Sequence, residues 1–293
     1  MAATIIDGTH VAGAILAATR ARAAAFEVES GQKPCLATVL VGDDPASHTY
    51  VRMKVNRCRT HGLDSRRCDL PSSVTTDEVV SLVRSLSTDA GVDGILVQHP
   101  MPVQVDERAV FEAIDPAKDV DGVTMASFAS MALGGIGFHP CTPAGIMHLL
   151  GAYAVDPAGL HAVVVGRSPI LGKPVGMLLL ARDATVTYCH SKTVDVARVV
   201  ASADLVVAAV GSPERIRGEW IKPGAVVIDA GYNAGNIGDV EYAAAAERAG
   251  LITPVPGGVG PTTIAVLLEQ TVRAATCRGL GVASGVWSNI CSK

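Results

Sequence analysis

Leu36-Ala37-Thr38-Val39-Leu40-Val41-Gly42-Asp43-Asp44-Pro45 is the stretch that decides the fold. Its first six residues predict a buried strand, the glycine predicts a turn, and the proline suits the first turn of a helix, where its missing N–H has little cost. That helix continues through Ser47, Tyr50 and Lys54, which fall at i, i+3 and i+7 and therefore share one face. A strand that passes through a turn into a helix is the repeating unit of parallel α/β proteins.

Two polar side chains of this helix, Tyr50 and Lys54, form a candidate acid–base pair. A phenol one turn before an ammonium group can hydrogen-bond to it and orient it, and the helix starts where the strand's carboxyl end opens into a crevice. The alternative interpretation is a solvated helix face, because most lysines are simply exposed. The two interpretations differ in whether other polar groups converge on Lys54.

Strands and helices alternate along the first half of the chain. Buried strands are predicted at 35–41 and 93–100, with an extended stretch at 66–70 between them. This rhythm indicates a parallel sheet. Gln98 lies at the end of the second buried strand, at the same sheet edge as the start of the Tyr50 helix. The sequence therefore predicts that Gln98 is close to that helix in space.

The second half of the chain starts a new unit after a polar, turn-rich segment at 115–122, which we interpret as the hinge between domains. Thr142 and Pro143 are typical of a helix N-terminus, with Thr142 as the N-cap. Five strands with crossovers follow and predict a doubly wound nucleotide-binding sheet. These strands are expected at 161–165, 185–189, 204–210, 225–229 and 252–255.

The turn from Gly166 to Gly172 is the candidate phosphate site. It is not the G-x-G-x-x-G fingerprint, but glycines six apart allow backbone N–H groups and a helix N-terminus to face a phosphate. An NAD-preferring site usually has an acidic residue about 20 residues later, where this chain reads Cys189-His190-Ser191-Lys192-Thr193. A cation and hydroxyls there, together with Arg167, suit a 2′-phosphate and favour NADP. The alternatives are an ordinary glycine turn and a solvated Ser/Lys loop.

Composition excludes several classes of protein. Of the 293 residues, 49 % are hydrophobic and 18 % charged, and the net charge is −4, so we expect a globular protein that does not bind nucleic acid. The sequence contains no run of 18 apolar residues, so no membrane span is predicted. Seven cysteines without a C-x-x-C motif, and a beginning unlike a signal peptide, favour a reduced, cytoplasmic setting. Cys58, His61 and Cys68 match no standard zinc pattern, so no metal site is predicted.

Several segments, in order from residue 1 to about residue 275, together resemble the bifunctional methylenetetrahydrofolate dehydrogenase/cyclohydrolase family. The most specific is Thr253-Pro254-Val255-Pro256-Gly257-Gly258-Val259-Gly260-Pro261. The other segments are Val41-Gly42-Asp43-Asp44-Pro45-Ala46-Ser47 with Tyr50-Val51-Arg52 and Lys54, Asp93-Gly94-Ile95-Leu96-Val97-Gln98, Lys118-Asp119-Val120-Asp121-Gly122, Pro140-Cys141-Thr142-Pro143, Val165-Gly166-Arg167-Ser168, Gly172-Lys173-Pro174 and Cys189-His190-Ser191.

This resemblance implies a two-domain α/β architecture: an N-terminal catalytic domain with a parallel sheet and a C-terminal Rossmann-like NADP-binding domain, with the active-site cleft between them. The folate-binding catalytic domain is expected at 1–120 with a C-terminal helix at about 262–280, the NADP-binding domain at 121–261 and a loose tail at 283–293. By resemblance, the chain is also expected to form a homodimer through the nucleotide domain.

The resemblance also implies a function and its residues. The family oxidises 5,10-methylenetetrahydrofolate to the methenyl form with NADP, and then hydrolyses that product to 10-formyltetrahydrofolate. Lys54 is implied as the main catalytic group, chiefly for hydrolysis. Tyr50 is implied to orient the folate and the lysine, Gln98 to tune the lysine, and Asp121 to anchor the pterin.

Further contacts are expected around these groups. The resemblance places Pro256 and Gly257 in a loop over the folate, and His99 is an expected substrate contact beside Gln98. The expected cofactor contacts are Thr142, Gly166, Arg167, Ser168, Gly172, His190, Ser191, Gly211 and Tyr232.

The chemistry of these residue types agrees with the implied reactions. The methenyl substrate is a cation, so a desolvated lysine beside it gives up its proton more easily and can act as a base or proton shuttle. A carboxylate such as Asp121 can accept two N–H bonds from the amino-pyrimidine edge of a pterin. Hydride transfer needs chiefly that the nicotinamide and the methylene carbon be held at about 3–3.5 Å, which we expect the cleft to provide.

Two positions depart from the family pattern. His99 stands where the family usually has leucine, and Thr262 where it usually has methionine. Neither removes an expected catalytic group, so we expect both activities to survive. The competing hypotheses are a dehydrogenase without the hydrolysis step, a regulatory nucleotide-binding module, and an unrelated NADP dehydrogenase such as a shikimate dehydrogenase.

Overall fold

The computed structural model describes residues 3–279, which divide into two compact units. The three-stranded unit comprises Ile15–His139 and the chain from Leu267 onward. The six-stranded unit comprises the chain up to Ala14 together with Pro140–Val266. The predicted domain limits at residues 120 and 261 stay a prediction, and the predicted tail at 283–293 lies outside the described residues.

Two long helices each contain one of the three points of division. They are α1 (Gly8–Ser30) and α10 (Val259–Gly279). No helix within residues 3–279 is both long enough and apolar enough to cross a lipid bilayer.

The three-stranded unit contains a parallel sheet in the order β3-β2-β4. Its strands are β2 (Cys35–Val41), β3 (Asp64–Leu70) and β4 (Gly94–Val97). Every residue of β2 and β4 is buried, as their apolar sequences predict for a sheet covered on both faces. β3 lies at an edge and presents charged residues there, which discourages pairing with another chain.

Helices of this unit begin where the sequence supplies caps. α2 (Pro45–Thr60) starts as predicted: the Asp44 carboxylate accepts the Ser47 N–H at 2.8 Å, and Pro45 occupies the first turn. α3 (Thr76–Thr88) begins with a capping box between Thr75 and Glu78. The others are α4 (Glu107–Phe111), a 3-10 turn at Pro116–Lys118 and α5 (Met125–Ala132).

The segment 115–122, predicted as the hinge between domains, is packed within this unit. Asp119 and Val120 are fully buried, and the Lys118 ammonium donates to the carbonyl oxygens of Leu86 and Asp89 at 3.2 and 2.7 Å. A polar, turn-rich composition suggested a break between domains, but the polar groups of this segment form hydrogen bonds with residues of the same unit.

The six-stranded unit contains the predicted doubly wound parallel sheet, in the order β1-β9-β8-β7-β5-β6. Because β5 lies between β6 and β7, the chain reverses its direction of winding there, which makes the β5/β7 boundary the switch point. The N-terminal strand β1 joins this sheet by pairing with β9. The strands are β1 (Thr4–Ile5), β5 (His161–Val165), β6 (Thr185–Cys189), β7 (Leu205–Ala208), β8 (Val226–Asp229) and β9 (Leu251–Ile252).

The helices of this unit correct one prediction. α6 (Cys141–Ala152) begins two residues earlier than expected, after Pro140 and without a side-chain cap. Thr142 is therefore not the N-cap; its hydroxyl lies inside the first turn and accepts a hydrogen bond from the Thr263 hydroxyl at 3.2 Å. The other helices are α7 (Gly172–Leu180), α8 (Val196–Val200) and α9 (Tyr242–Ala246).

Candidate active site

Lys54 and Gln98 meet in the three-stranded unit. The Lys54 ammonium donates to Gln98 Oε1 at 3.1 Å, although the two residues are 44 positions apart in sequence. Gln98 directly follows β4, and its backbone N–H continues the ladder to the Val39 carbonyl of β2. A glutamine at the carboxyl end of one strand therefore contacts a lysine of the helix that follows the neighbouring strand, as the sequence predicted.

His99 holds the Gln98 amide in place through its backbone. Gln98 Nε2 donates to the His99 carbonyl at 2.7 Å, which leaves Oε1 to accept from Lys54. The His99 ring points elsewhere, since it packs edge-on against Phe111 with ring centroids 6.2 Å apart. The contact of His99 with the Lys54–Gln98 pair thus comes from its backbone, which a leucine would also supply.

Tyr50 lies one helical turn before Lys54 on α2. Its side chain is 38 % exposed, whereas Ser47, three residues earlier, is buried. Lys54 is half-buried, so the exposed face of the helix offers an aromatic surface next to an amine. Such a face suits a planar ligand that stacks on a phenol and ends near an ammonium group.

Asp121 belongs to a loop that is braced from within. The fully buried Asp119 carboxylate accepts the Val123 N–H at 3.0 Å, the Thr124 N–H at 2.9 Å and the Ser127 hydroxyl at 2.6 Å. Asp121 itself is half-buried. The turn that carries Asp121 is therefore fixed by its neighbour two residues earlier.

Gln270 braces the same loop from α10. Its amide donates to the Val120 carbonyl at 2.8 Å and to the His139 carbonyl at 2.9 Å, and it accepts the His139 N–H at 3.2 Å. Val120 also packs against the start of β4, where a Cβ on Gly94 would lie 2.7 Å from it. Asp121 is thus presented by a loop with little freedom to move.

Gly166 lies at the switch point of the six-stranded unit. Its φ is +135°, and a Cβ there would come within 2.1 Å of the Ala209 carbonyl oxygen. A Cβ on Gly172 would come within 2.6 Å of the Gly166 carbonyl. Only glycine fits either position, so the turn after β5 is as tight as a phosphate-binding turn needs to be.

Ser168 shapes the start of α7. Its hydroxyl accepts the N–H groups of Leu171 and Gly172, both at 3.2 Å, and its carbonyl accepts the Lys173 N–H. Arg167 beside it is exposed. The helix N-terminus and an exposed cation thus lie at the same sheet edge, which suits an anionic ligand.

The remaining predicted cofactor residues also follow strands of this sheet. His190 and Ser191 come directly after β6, where His190 Nδ1 accepts the Lys192 N–H at 3.1 Å and Ser191 is exposed. Gly211 follows β7 with a φ of +64°. Tyr232 follows β8, is 58 % exposed, and donates its phenol proton to Asn236 at 2.6 Å. All of them lie at the carboxyl edge of the sheet, where α/β proteins bind nucleotides.

Pro256 and Gly257 form part of a folded turn. The Gly258 N–H donates to the Pro254 carbonyl at 2.9 Å, and Gly257 has a φ of +101°. The start of α1 packs directly on this turn, because a Cβ on Gly8 would overlap the Gly258 carbonyl. The turn is exposed at Pro256, so its outer surface is available to a ligand.

Sequence reasoning missed the residues that hold these loops. Asp119 and Gln270 brace the Asp121 loop, and the buried carboxylates Asp229 and Asp239 brace the loops after β7 and β8. Burial raises the pKa of Asp229 to about 6, against the lowering effect of three backbone N–H donors. Position at a strand end was a usable signal for Asp229, but nothing in the local sequence marked Asp239.

Two family models cover most of the chain. Residues 6–121 match the tetrahydrofolate dehydrogenase/cyclohydrolase catalytic domain, and residues 140–278 match the NAD(P)-binding domain of the same family. The chain belongs to the tetrahydrofolate dehydrogenase/cyclohydrolase family. The resemblance predicted from the sequence is therefore confirmed.

Relatives of this family match nearly the whole chain. Bifunctional protein FolD 1 of Salinispora arenicola is 67 % identical over 95 % of this chain and 100 % of its own length. Bifunctional protein FolD of Shouchella clausii is 57 % identical over 92 % of this chain and 97 % of its own. The crystal structure of FolD from Campylobacter jejuni superposes with a TM-score of 0.92 at 40 % identity, covering 94 % of this chain and 100 % of that one.

Membership in the family fixes the reactions. The chain is an enzyme of one-carbon metabolism that oxidises 5,10-methylenetetrahydrofolate to 5,10-methenyltetrahydrofolate and hydrolyses this to 10-formyltetrahydrofolate. The prediction of both activities is confirmed, and the hypotheses of a regulatory module or an unrelated dehydrogenase are set aside.

Proposed function

We propose that Lys54, oriented by Gln98, is the group that moves the proton in the hydrolysis step. The observation that carries this proposal is the 3.1 Å hydrogen bond from the Lys54 ammonium to Gln98 Oε1 at the carboxyl end of β4. Because the Gln98 amide is held by the His99 carbonyl, the acceptor has a fixed direction. A neutral acceptor orients the amine without adding the negative charge that would keep it protonated.

The hydrolysis is then a simple exchange of bonds. Water adds to the carbon that bridges N5 and N10 of the methenyl cation, the bond from this carbon to N5 breaks, and one proton is released overall. Lys54 in its neutral form takes a proton from the attacking water, and the resulting ammonium returns a proton to N5. The product carries the formyl group on N10.

Tyr50 and Asp121 bind the folate in this proposal. The exposed phenol ring of Tyr50 gives a flat surface for the aminobenzoyl part of the substrate. The Asp121 carboxylate accepts two N–H bonds from the amino-pyrimidine edge of the pterin, and its braced loop makes this recognition precise. His99, Pro256 and Gly257 complete the predicted substrate contacts.

The cofactor is NADP, and the residues at the carboxyl edge of the six-stranded unit fit a dinucleotide. A Trypanosoma brucei methylenetetrahydrofolate dehydrogenase-cyclohydrolase, 37 % identical with a TM-score of 0.91, was solved with NADP and an inhibitor. When bound, the dinucleotide accepts the hydride that leaves the methylene carbon. The tight turn at Gly166, where a Cβ has no room, lets backbone approach a pyrophosphate.

Charged and hydroxyl groups beside this turn select the phosphorylated form. Arg167 is exposed next to the turn, and Ser191 and Lys192 are exposed after β6, where an NAD-preferring site would place a carboxylate. These groups bind the 2′-phosphate. The other cofactor contacts in this proposal are Thr142, Gly166, Ser168, Gly172, His190, Gly211 and Tyr232.

The cellular setting completes the proposal. We place the enzyme in the cytoplasm, because seven cysteines without a C-x-x-C motif favour a reducing compartment. Its product, 10-formyltetrahydrofolate, is a formyl donor of the kind used in purine biosynthesis, and we place the enzyme on that pathway. It forms a homodimer through the nucleotide-binding domain, as its resemblance to the family implies.

One pair of assays tests this function. NADP reduction is followed with 5,10-methylenetetrahydrofolate, and loss of methenyl absorbance is followed separately without cofactor. The proposal expects turnover in both, with a kcat/KM for NADP well above that for NAD. Equal use of NAD would refute the role of Arg167 and Ser191, and a protein that turns over neither substrate would refute the function.

A further inference from the structure

Two carboxylates at the cofactor edge of the six-stranded unit are almost completely buried. Asp239 is fully buried and Asp229 is 2 % exposed. Asp229 ends β8, and Asp239 comes ten residues later, after the loop that carries Tyr232. Neither can touch a bound cofactor, so any role they have in catalysis must act through the backbone that they hold.

Asp239 binds the loop that follows β7. One carboxylate oxygen accepts the N–H groups of Val210 and Gly211 at 2.6 and 2.9 Å. The other accepts the Ser212 N–H and the Asn233 side-chain amide, both at 3.0 Å. Three consecutive backbone donors therefore converge on one side chain, which fixes the path of residues 210–212.

Asp229 in turn fixes Asp239. Its Oδ1 accepts the N–H groups of Gly231 and Asp239, and its Oδ2 accepts the Val240 N–H, all at 2.9 Å. The fit is close, since a Cβ on Gly238 would lie 2.0 Å from Asp229 Oδ2. The end of β8 thus sets the position of Asp239, and Asp239 sets the loop after β7.

The loop held in this way lies at the switch point of the sheet. Ala209, which begins it, packs its carbonyl oxygen against Gly166 of the phosphate-binding turn. Gly211 and Tyr232, on the two loops that Asp239 joins, are both proposed cofactor contacts. We propose that Asp239 is a positioning residue of the dehydrogenase, which holds residues 210–212 in the shape that binds NADP. This inference rests on the proposed function.

The two activities of this enzyme separate such a role from a general structural one. Hydrolysis of methenyltetrahydrofolate consumes no NADP, whereas oxidation requires it. In Asp239→Asn, an NH2 group replaces one of the two acceptor oxygens and faces N–H donors, so the loop loses at least half of the hydrogen bonds that anchor it. We expect the KM for NADP to rise about 10- to 100-fold, since each unsatisfied buried donor is costly. We expect kcat at saturating NADP and the hydrolysis rate to stay within about threefold of the parent.

Asp204→Asn is the matched control. Asp204 directly precedes β7, at the end of this strand opposite to the loop that Asp239 holds. Its carboxylate accepts the His161 N–H at 3.0 Å and a hydrogen bond from the Lys222 ammonium at 2.5 Å. This variant tests whether weakening the sheet by itself changes the KM for NADP. We expect Asp204→Asn to lower the thermal midpoint and to leave the KM for NADP unchanged.

Asn233→Ala provides a milder second test, because it removes only one of the four donors to Asp239. We expect a rise of about three- to tenfold in the KM for NADP. An unchanged KM for NADP in a folded Asp239→Asn, or an equal loss of both activities, would overturn the inference. If Asp239→Asn does not fold, an unchanged KM in Asn233→Ala overturns it. Failure of the parent to reduce NADP is a separate result that refutes the proposed function instead.

Discussion

Replacing Gln98 by methionine removes the polar partner of Lys54 while keeping a side chain of similar length. The substitution deletes the 3.1 Å hydrogen bond to the ammonium and the 2.7 Å bond to the His99 carbonyl. A hydrogen bond to a charged group contributes about 1.5–3 kcal/mol, which corresponds to about 10- to 150-fold in rate if it is needed in the transition state. We therefore expect the kcat for hydrolysis to fall by that factor.

The assay is loss of methenyl absorbance in the absence of NADP, measured across pH. Gln98→Glu gives a second test, because a carboxylate at the same place holds Lys54 in its charged form. The pH profile of the hydrolysis rate should therefore move to higher pH. Gln104→Met is the control, since Gln104 lies in the same unit but binds the carbonyl oxygens of Ser72 and Val74. Parent rates in Gln98→Met, or a Gln98→Glu profile that does not move, would refute the reasoning.

Three further predictions concern the loops and their anchors. Gly166→Ala places a Cβ 2.1 Å from the Ala209 carbonyl, so NADP should no longer raise the thermal midpoint; a normal NADP-induced shift would contradict this. Asp119→Asn weakens the contact with the Ser127 hydroxyl and two N–H groups, and should lower the free energy of unfolding by about 2–3 kcal/mol in urea titrations; a change below about 0.5 kcal/mol would show that the buried charge is not needed. The pKa of Asp229 is raised from 3.8 to about 6, so protonation of this carboxyl group favours the folded state. Its contribution to the free energy of unfolding is fully present below about pH 4 and is lost as the pH rises through about 6, a difference of about 3 kcal/mol. Asp229→Asn should abolish this pH dependence.

Much of the fold was readable because its signals are local. The apolar run before Gly42 and the proline after it specified β2 and the start of α2, and alternation of strands and helices specified the parallel sheets. The start of α6 was misplaced because Thr142 and Pro143 look like a cap, whereas the helix already begins at Cys141. Short caps of this kind compete with tertiary contacts, here the hydroxyl of Thr263.

The site residues show the same contrast between local and long-range signals. Lys54 and Gln98 could be paired from sequence, since both follow carboxyl ends of neighbouring parallel strands. The role of Gln270 could not be predicted from the sequence, because its contact with the Asp121 loop joins residues 150 positions apart. Asp239 likewise contacts residues of another loop, and its burial is a property of the fold that no spacing in the chain reveals.

Hydrolysis by Lys54→Arg is the most direct test of the central claim, that Lys54 handles the proton. Arginine keeps the positive charge and the hydrogen bond to Gln98 but does not release its proton in proteins. We predict that Lys54→Arg and Lys54→Met both lose about 10²- to 10⁴-fold in the kcat for hydrolysis, with the NADP-induced shift in thermal midpoint unchanged. Hydrolysis by Lys54→Arg at the parent rate would contradict the account, because it would show that charge alone is sufficient.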